Sequence, residues 1–350
     1  MKADKKVIDH LAKCYALTEF DYDGERHLVV AAEKGDPCYV YNLEGKRTDT
    51  LWEGPGGVMT ICQYPFAPDN DPILLATRKF FSPNDSSSAS ISYYTREKDG
   101  KWACHILCDI PFVHRFGLLE RNGEHYLIAC TLKSAHAFKD DWTCPGRIWV
   151  SELPKDIRSY NEDNQLVLTP LVSGLYKNHG FCKCTENGYS FALVGTDNGV
   201  YKVVPPMKKG GEWTYECLLD HPASDMLYQD YDGDGEKELL VISPFHGENL
   251  SIYKQEKGAF RCVYECEKKM PFLHAIWGSE INGKQYAFLG NRREDNELFV
   301  LYHNGKEYTV DVLDRGAGPT NVMYYKDGEK DMLFAANRET DEVALYELHI

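Results

Sequence analysis

The chain has 350 residues, 43% of them apolar and 27% charged, a globular balance that excludes wholesale disorder. Its 54 acidic side chains outnumber 39 basic ones, for a net charge of −15, which argues against nucleic acid or an anionic membrane as a partner. No apolar run approaches the roughly 18 residues of a membrane span.

The chain opens with MKADKKVIDHLAK. It carries lysines and no apolar stretch of the kind that marks a secretory signal, so a cytoplasmic protein is expected. KKVIDHLAK alternates like a strand. From Cys14 a unit begins that recurs: an apolar stretch, an Asn-Gly or Asp-Gly turn, an apolar strand, a polar loop, and a strand rich in Tyr or Val. It reads CYALTEFDYDGERHLVVAAEKGDPCYVYN from Cys14 and, with a longer first turn, GVMTICQYPFAPDNDPILLATRKFF from Gly57. Further copies start at Val113, Asn178, Ser224, Leu273 and Thr320, which makes seven. A fourth strand follows most of them, as RTDTLWE, WACHILCDI, LVLTPLVSG, EWTYECLLD, FRCVYECEK and YTVDVLDRG. Asn-Gly and Asp-Gly favour tight hairpins, and repeated four-stranded units fit a propeller.

The fold expected is all-β, a seven-bladed β-propeller forming one domain over residues 1–350. The last unit ends at VALYELHI and lacks an outer strand. Residues 6–12 are predicted to supply it by pairing with 343–348. Closure would remove the exposed sheet edges of an open array. Twelve cysteines run from Cys14 to Cys266 without a CxxC pair. They read as reduced thiols packed as small apolar groups, and only weakly as a zinc site.

His114, His179 and His274 each lie nine residues before a turn glycine, at Gly123, Gly188 and Gly283. The offset puts them at equivalent starts of the inner strand in blades three, four and six. One such histidine alone would be read as hydrogen-bonded within the channel. Three aimed at one axis suit a divalent transition metal, Zn or Mn, with an open position. On the same face the ends of the second strands carry Lys34, Arg78, Lys79, Lys133, Arg292, Arg293 and Arg338, with His246 among them. Each alone reads as solvated loop charge. Together they predict a cationic mouth, with Arg78, Lys133, Arg292 and Arg338 as substrate contacts. The insertion SAHAFKDDWTCPG holds His136 and Trp142. It could form a lid, with Trp142 stacking on a sugar or only packing its own loop. His246 and His136 are the candidates for acid or base work.

Asp230, Asp232, Asp234 and Glu238 stand in DxDxDGxxE. Oxygen ligands at alternating positions around a turn glycine can wrap Ca²⁺. The flanks MLYQ and LLVIS read as strands, unlike the helices of an EF-hand. The whole chain therefore resembles the FG-GAP/VCBS-type seven-bladed propellers, whose turns bind a structural Ca²⁺. The histidines at successive inner strands further resemble the propeller of aldos-2-ulose dehydratases and, more loosely, propeller polysaccharide lyases acting on uronic acids. That resemblance implies elimination of water or an alcohol from a sugar, assisted by metal or histidine.

The function expected is a carbon–oxygen lyase on a keto-sugar or uronate-containing small saccharide. A non-catalytic sugar- or protein-binding propeller and a metal-assisted glycoside hydrolase are the alternatives. The fold hosts all three.

Overall fold

The computed structural model describes residues 1–69 and 71–350. It is all-β: seven four-stranded antiparallel sheets, with no helix among the described residues. No helix long and apolar enough to cross a membrane is present among them. Six sheets are built from consecutive strands, and the seventh combines the two ends of the chain.

The repeat dictates the sheets. Asp23-Gly24, Asn122-Gly123, Asn187-Gly188 and Asn282-Gly283 all have positive φ, from 49° to 79°. That is the two-residue turn whose twist matches the strands it joins. The second strand of each sheet, such as Glu124–Lys133 or Lys330–Asn337, is buried along most of its length and apolar at its centre. The fourth strands, such as Ala259–Glu265, face water and are mixed. Successive sheets pack face to face through apolar clusters. Leu227, Leu240 and Ile252 of the fifth blade meet Leu273, Leu289 and Phe299 of the sixth.

Ring closure follows the same physics. The strand Lys2–His10 pairs antiparallel with Glu342–His349, as Lys2↔His349 through His10↔Glu342. It begins four residues before the predicted segment, because the ladder continues to the last strand's end. Lys5 anchors the seam on Glu342 at 2.7 Å and Asp314 at 3.2 Å. Beneath it, Leu11, Cys14 and Tyr41 of the first blade pack on Met323, Phe334 and Leu345 of the seventh.

Deleting residues 1–10 leaves Glu342–His349 as a bare edge and uncovers that cluster. Such a variant should lose more than about 10 °C of thermal midpoint and self-associate, as measured by melting and size-exclusion chromatography. An unchanged midpoint would show that the seam is dispensable.

Candidate functional site

Local backbone geometry brings the histidines together. Lys13, Phe112, Lys177 and Phe272 adopt left-handed φ of 52°, 64°, 47° and 62°. Each lies two residues before Tyr15, His114, His179 or His274. The pairing slips at Tyr15, His114 and His274, between Cys14 and Ala16, Val113 and Arg115, and Leu273 and Ala275. Such bulges re-aim a side chain, and these three turn the rings of Tyr15, His114 and His274 toward the axis; His179 precedes its strand, which shows no such slip. His246 comes from the loop after the second strand of blade five. Its own φ is +49°, an unusual backbone for a non-glycine residue. Its amide donates to Ser224 Oγ at 3.1 Å. The next residue is glycine because a Cβ there would meet the Ser243 carbonyl at 2.3 Å.

Ring centroids lie 4.4 Å apart for His114 and His179, 4.9 Å for His179 and His246, 5.5 Å for His179 and His274, and 5.3 Å for His246 and His274. One ring nitrogen each from His179, His246 and His274 falls within 4.8 Å of the others. The nitrogen cluster thus takes in His246, while His114 lies tilted beside it. The His179 Nδ1–H donates to the Ser224 carbonyl at 2.9 Å, and the His274 Nδ1–H to the Thr320 carbonyl at 2.7 Å. Both Nε2 atoms are therefore unprotonated acceptors in the neutral rings. His179 Nε2 faces His246 Nε2 at 3.4 Å. Two ligands of a tetrahedral ion with bonds of 2.0–2.1 Å are spaced about 3.3 Å apart. Backbone carbonyls that fix the far nitrogen are the outer support usual for metal-binding imidazoles. The donor set fits a divalent transition ion.

The site is covered. His114, His179 and His274 are buried, whereas a solvent-facing mouth was expected. Phe80 lies 5.2 Å from His114, Phe245 stacks on His246 at 3.9 Å, and Phe272 lies 4.4 Å from His246. Trp142 meets Phe245 edge-on at 5.5 Å, with the Lys133 ammonium 4.5 Å from its own ring centre. It is thus packed into the cover. Burial first, and then the neighbouring imidazoles together with Arg115 and Arg292, hold all four imidazoles below their usual range, His179 at about 3. They are neutral near pH 7, the form that ligates a metal or accepts a proton.

The expected cationic mouth is largely internally neutralised. Arg292 pairs with Glu339 at 2.7 Å, and Arg338 pairs with Glu33 and, at 3.1 Å, with Glu339. Lys133 is buried and donates to the Asp141 carbonyl at 2.9 Å. Arg78 turns outward to Cys104 Sγ at 2.8 Å. His136 packs on Phe112 at 5.7 Å with its Nδ1 unpartnered, and makes no ring contact with the other four.

The calcium-type loop also has an internal cation. Asp230, Asp232, Asp234 and Glu238 bring one carboxylate oxygen each within 4.8 Å. The Lys254 ammonium stands among them, 2.6 Å from Asp232 and 3.1 Å from Glu238, and also against Asp234. Burial opposes its charge, yet the three carboxylates hold it well above the ordinary lysine range. A Ca²⁺ at these oxygens would have to displace it.

Two residues at the axis escaped the sequence reading. Tyr15 donates its hydroxyl to His274 Nε2 at 3.0 Å. It lies nine residues before Gly24, so the same offset identifies it. Asp225 lies in the channel of blade five. The long acidic turn there leaves the offset ambiguous: it lands on Ser224 counted from Gly233 and on Met226 counted from Gly235.

No family model and no curated protein matches the chain. Solved structures do. Virginiamycin B lyase from Staphylococcus aureus is 15% identical, with a TM-score of 0.56 and 99% of both chains covered. The soluble aldose sugar dehydrogenase of Escherichia coli is 14% identical, with a TM-score of 0.52 and the same coverage. A glucose dehydrogenase is 13% identical at 0.53, again over 99% of each chain. At these identities the likeness is one of fold, the seven-bladed propeller.

Two outcomes follow. The neutral histidines have folded-state values below the unfolded one, so the unfolded chain binds more protons at acid pH. Their stabilising effect is complete above about pH 6.5 and declines as pH falls below it. Asp225, pushed up to about 6 by burial, acts in the opposite sense and offsets part of the decline. Melting temperatures of metal-free protein should fall steadily from neutral pH toward pH 5, and His114→Leu should flatten that slope. Separately, Lys254→Met empties the acidic loop of its ammonium. Ca²⁺ should then raise the melting temperature of the variant far more than that of the unchanged chain; equal shifts would show that the lysine does not hold the site.

Proposed function

We propose that this propeller is a carbohydrate-active carbon–oxygen lyase. It would eliminate water or an alcohol from a keto-sugar or uronate-containing small saccharide beside a Zn or Mn ion on His179, His246 and His274. One observation carries the reading. Three neutral imidazole nitrogens converge within 4.8 Å, two of the rings locked by Nδ1–H bonds to backbone carbonyls. A divalent ion there supplies Lewis acidity toward a carbonyl or carboxylate oxygen.

The chain's own residues divide the remaining work. Elimination removes a proton from carbon beside the carbonyl, expels the oxygen substituent from the next carbon, and returns a proton to it. His114 is the base in this reading. It is neutral, lies tilted against His179 at 4.4 Å, and its Nδ1 has no hydrogen-bond partner. The Tyr15 hydroxyl donates to His274 Nε2; an ion held on that nitrogen would take its lone pair and free the Tyr15 proton to serve the departing oxygen. This reading exchanges the roles expected of His114 and His246. The aromatic cover excludes water, which strengthens each polar interaction inside. Twelve cysteines without a disulfide fit a reducing cytoplasm.

A second reading rests on the same cover. Imidazoles buried behind Phe80, Phe245 and Phe272 also suit a non-catalytic binding propeller. The hydrolase reading shares the cluster and differs in its product.

Metal analysis of purified protein and a saccharide screen for unsaturated products absorbing in the ultraviolet decide among them. Stoichiometric metal is expected. Replacing His179, His246 or His274 with Ala should weaken metal binding roughly a hundredfold or more, while His114→Ala keeps the metal and loses turnover. Saturated cleavage products would select the hydrolase. Protein that takes up no metal and turns over no sugar would move the binding propeller ahead.

A further inference from the structure

The central channel contains a cavity of about 180 Å³ that none of the four histidines lines. All seven blades line it. Its polar groups are Thr60, Arg115, Asp225 and Asn321, and Leu17, Phe181 and Trp277 are among its apolar walls. Arg115 is the residue after His114, and Asp225 the one after Ser224, whose carbonyl orients His179. The cavity thus lies along the inner strands just past the histidines. Trp277, one of its walls, is 36% exposed.

The charges in this cavity are unmatched. Asp225 is 3% exposed. Its Oδ1 accepts the amides of Met226 at 3.0 Å and Phe181 at 3.3 Å. Its Oδ2 has no protein donor, and no cation lies within ion-pair distance, among the described residues. Arg115 donates through Nη1 to the Met59 carbonyl at 2.6 Å and makes no ion pair there either. A buried carboxylate and a guanidinium that face one small space without touching are costly to the empty protein. They are complementary to a ligand that reaches both.

We infer that this cavity binds a small carboxylate bearing a hydrogen-bond donor on the adjacent carbon. The ligand's carboxylate would lie on the Arg115 fork, its hydroxyl or ammonium on Asp225 Oδ2, and its apolar remainder against Leu17, Phe181 and Trp277. A planar guanidinium recognises carboxylates through paired N–H bonds. Asp225, an acceptor when ionised, demands a donor beside it. About six water volumes fit the space, the scale of a branched four- or five-carbon acid. The site uses none of the four histidines, so it stands or falls apart from the lyase reading.

Isothermal titration calorimetry on the full chain, with and without a chelator, tests it. Four probes share one skeleton: L-valine, L-2-hydroxy-3-methylbutanoate, 3-methylbutanoate without the donor, and L-valinamide without the carboxylate. Valine or its hydroxy analogue should bind at neutral pH, and the stronger of the two identifies the donor. The other two probes should bind at least about tenfold more weakly. Arg115→Met should abolish binding, and Asp225→Asn should weaken it at least tenfold with the melting curve retained. Should Arg115→Met fail to fold, Arg115→Lys, which keeps the charge and loses the fork, should still weaken binding. Chelator should change nothing. No heat from either donor-bearing probe up to about 10 mM, or equal binding of all four, would overturn the proposal.

Discussion

Everything at the axis depends on one pairing, the antiparallel ladder between Lys2–His10 and Glu342–His349. Without it seven sheets would be an open array with two bare edges. With it the inner strands are held around one axis. Positions equivalent in sequence then become neighbours in space, although His114 and His274 are far apart along the chain. The left-handed residues Lys13, Phe112, Lys177 and Phe272 convert that symmetry into chemistry, because each sets the direction of the ring two residues later. The candidate site is thus a property of closure and repeat together, and of no single loop.

Much of this was legible in the sequence, for a physical reason. A propeller repeats its turns at fixed offsets, so Gly123, Gly188 and Gly283 mark inner-strand starts wherever the turn is a plain two-residue hairpin. The same rule reaches Tyr15 from Gly24 once applied to every blade. It fails at Asp225, where the turn is longer. Partnership across loops was harder to read. Arg292 and Arg338 look like free cations until Glu33 and Glu339 meet them from other loops. The acidic turn looks like an ion site until Lys254, from the strand after Glu238–Ser243, enters it. Such pairs leave no local signature, since each member is an ordinary surface residue by itself.

Charge economy runs through the molecule. The surface carries a large acidic excess, yet the histidine face, the acidic turn and the closure seam each hold locally matched pairs. The channel cavity departs from that pattern, with Arg115 and Asp225 lacking protein partners of opposite charge. Matched pairs near the surface contribute little stability each.

The aromatic cover has a consequence for timing. Phe245, Phe272 and Phe80 lie directly against the imidazoles, and Trp142 backs Phe245. Nothing can exchange at those nitrogens from that side until the rings swing aside. Ring displacement of packed aromatics is a collective opening, far rarer than diffusion to an exposed ligand. Were an ion to bind the cluster, its loading from that side would depend on when it was offered. A cation present while the blades are still assembling would meet no such barrier, and one offered to the finished ring would enter from that side slowly. Two preparations of the same chain would then differ in content according to the ions present during folding, with no difference in affinity between them.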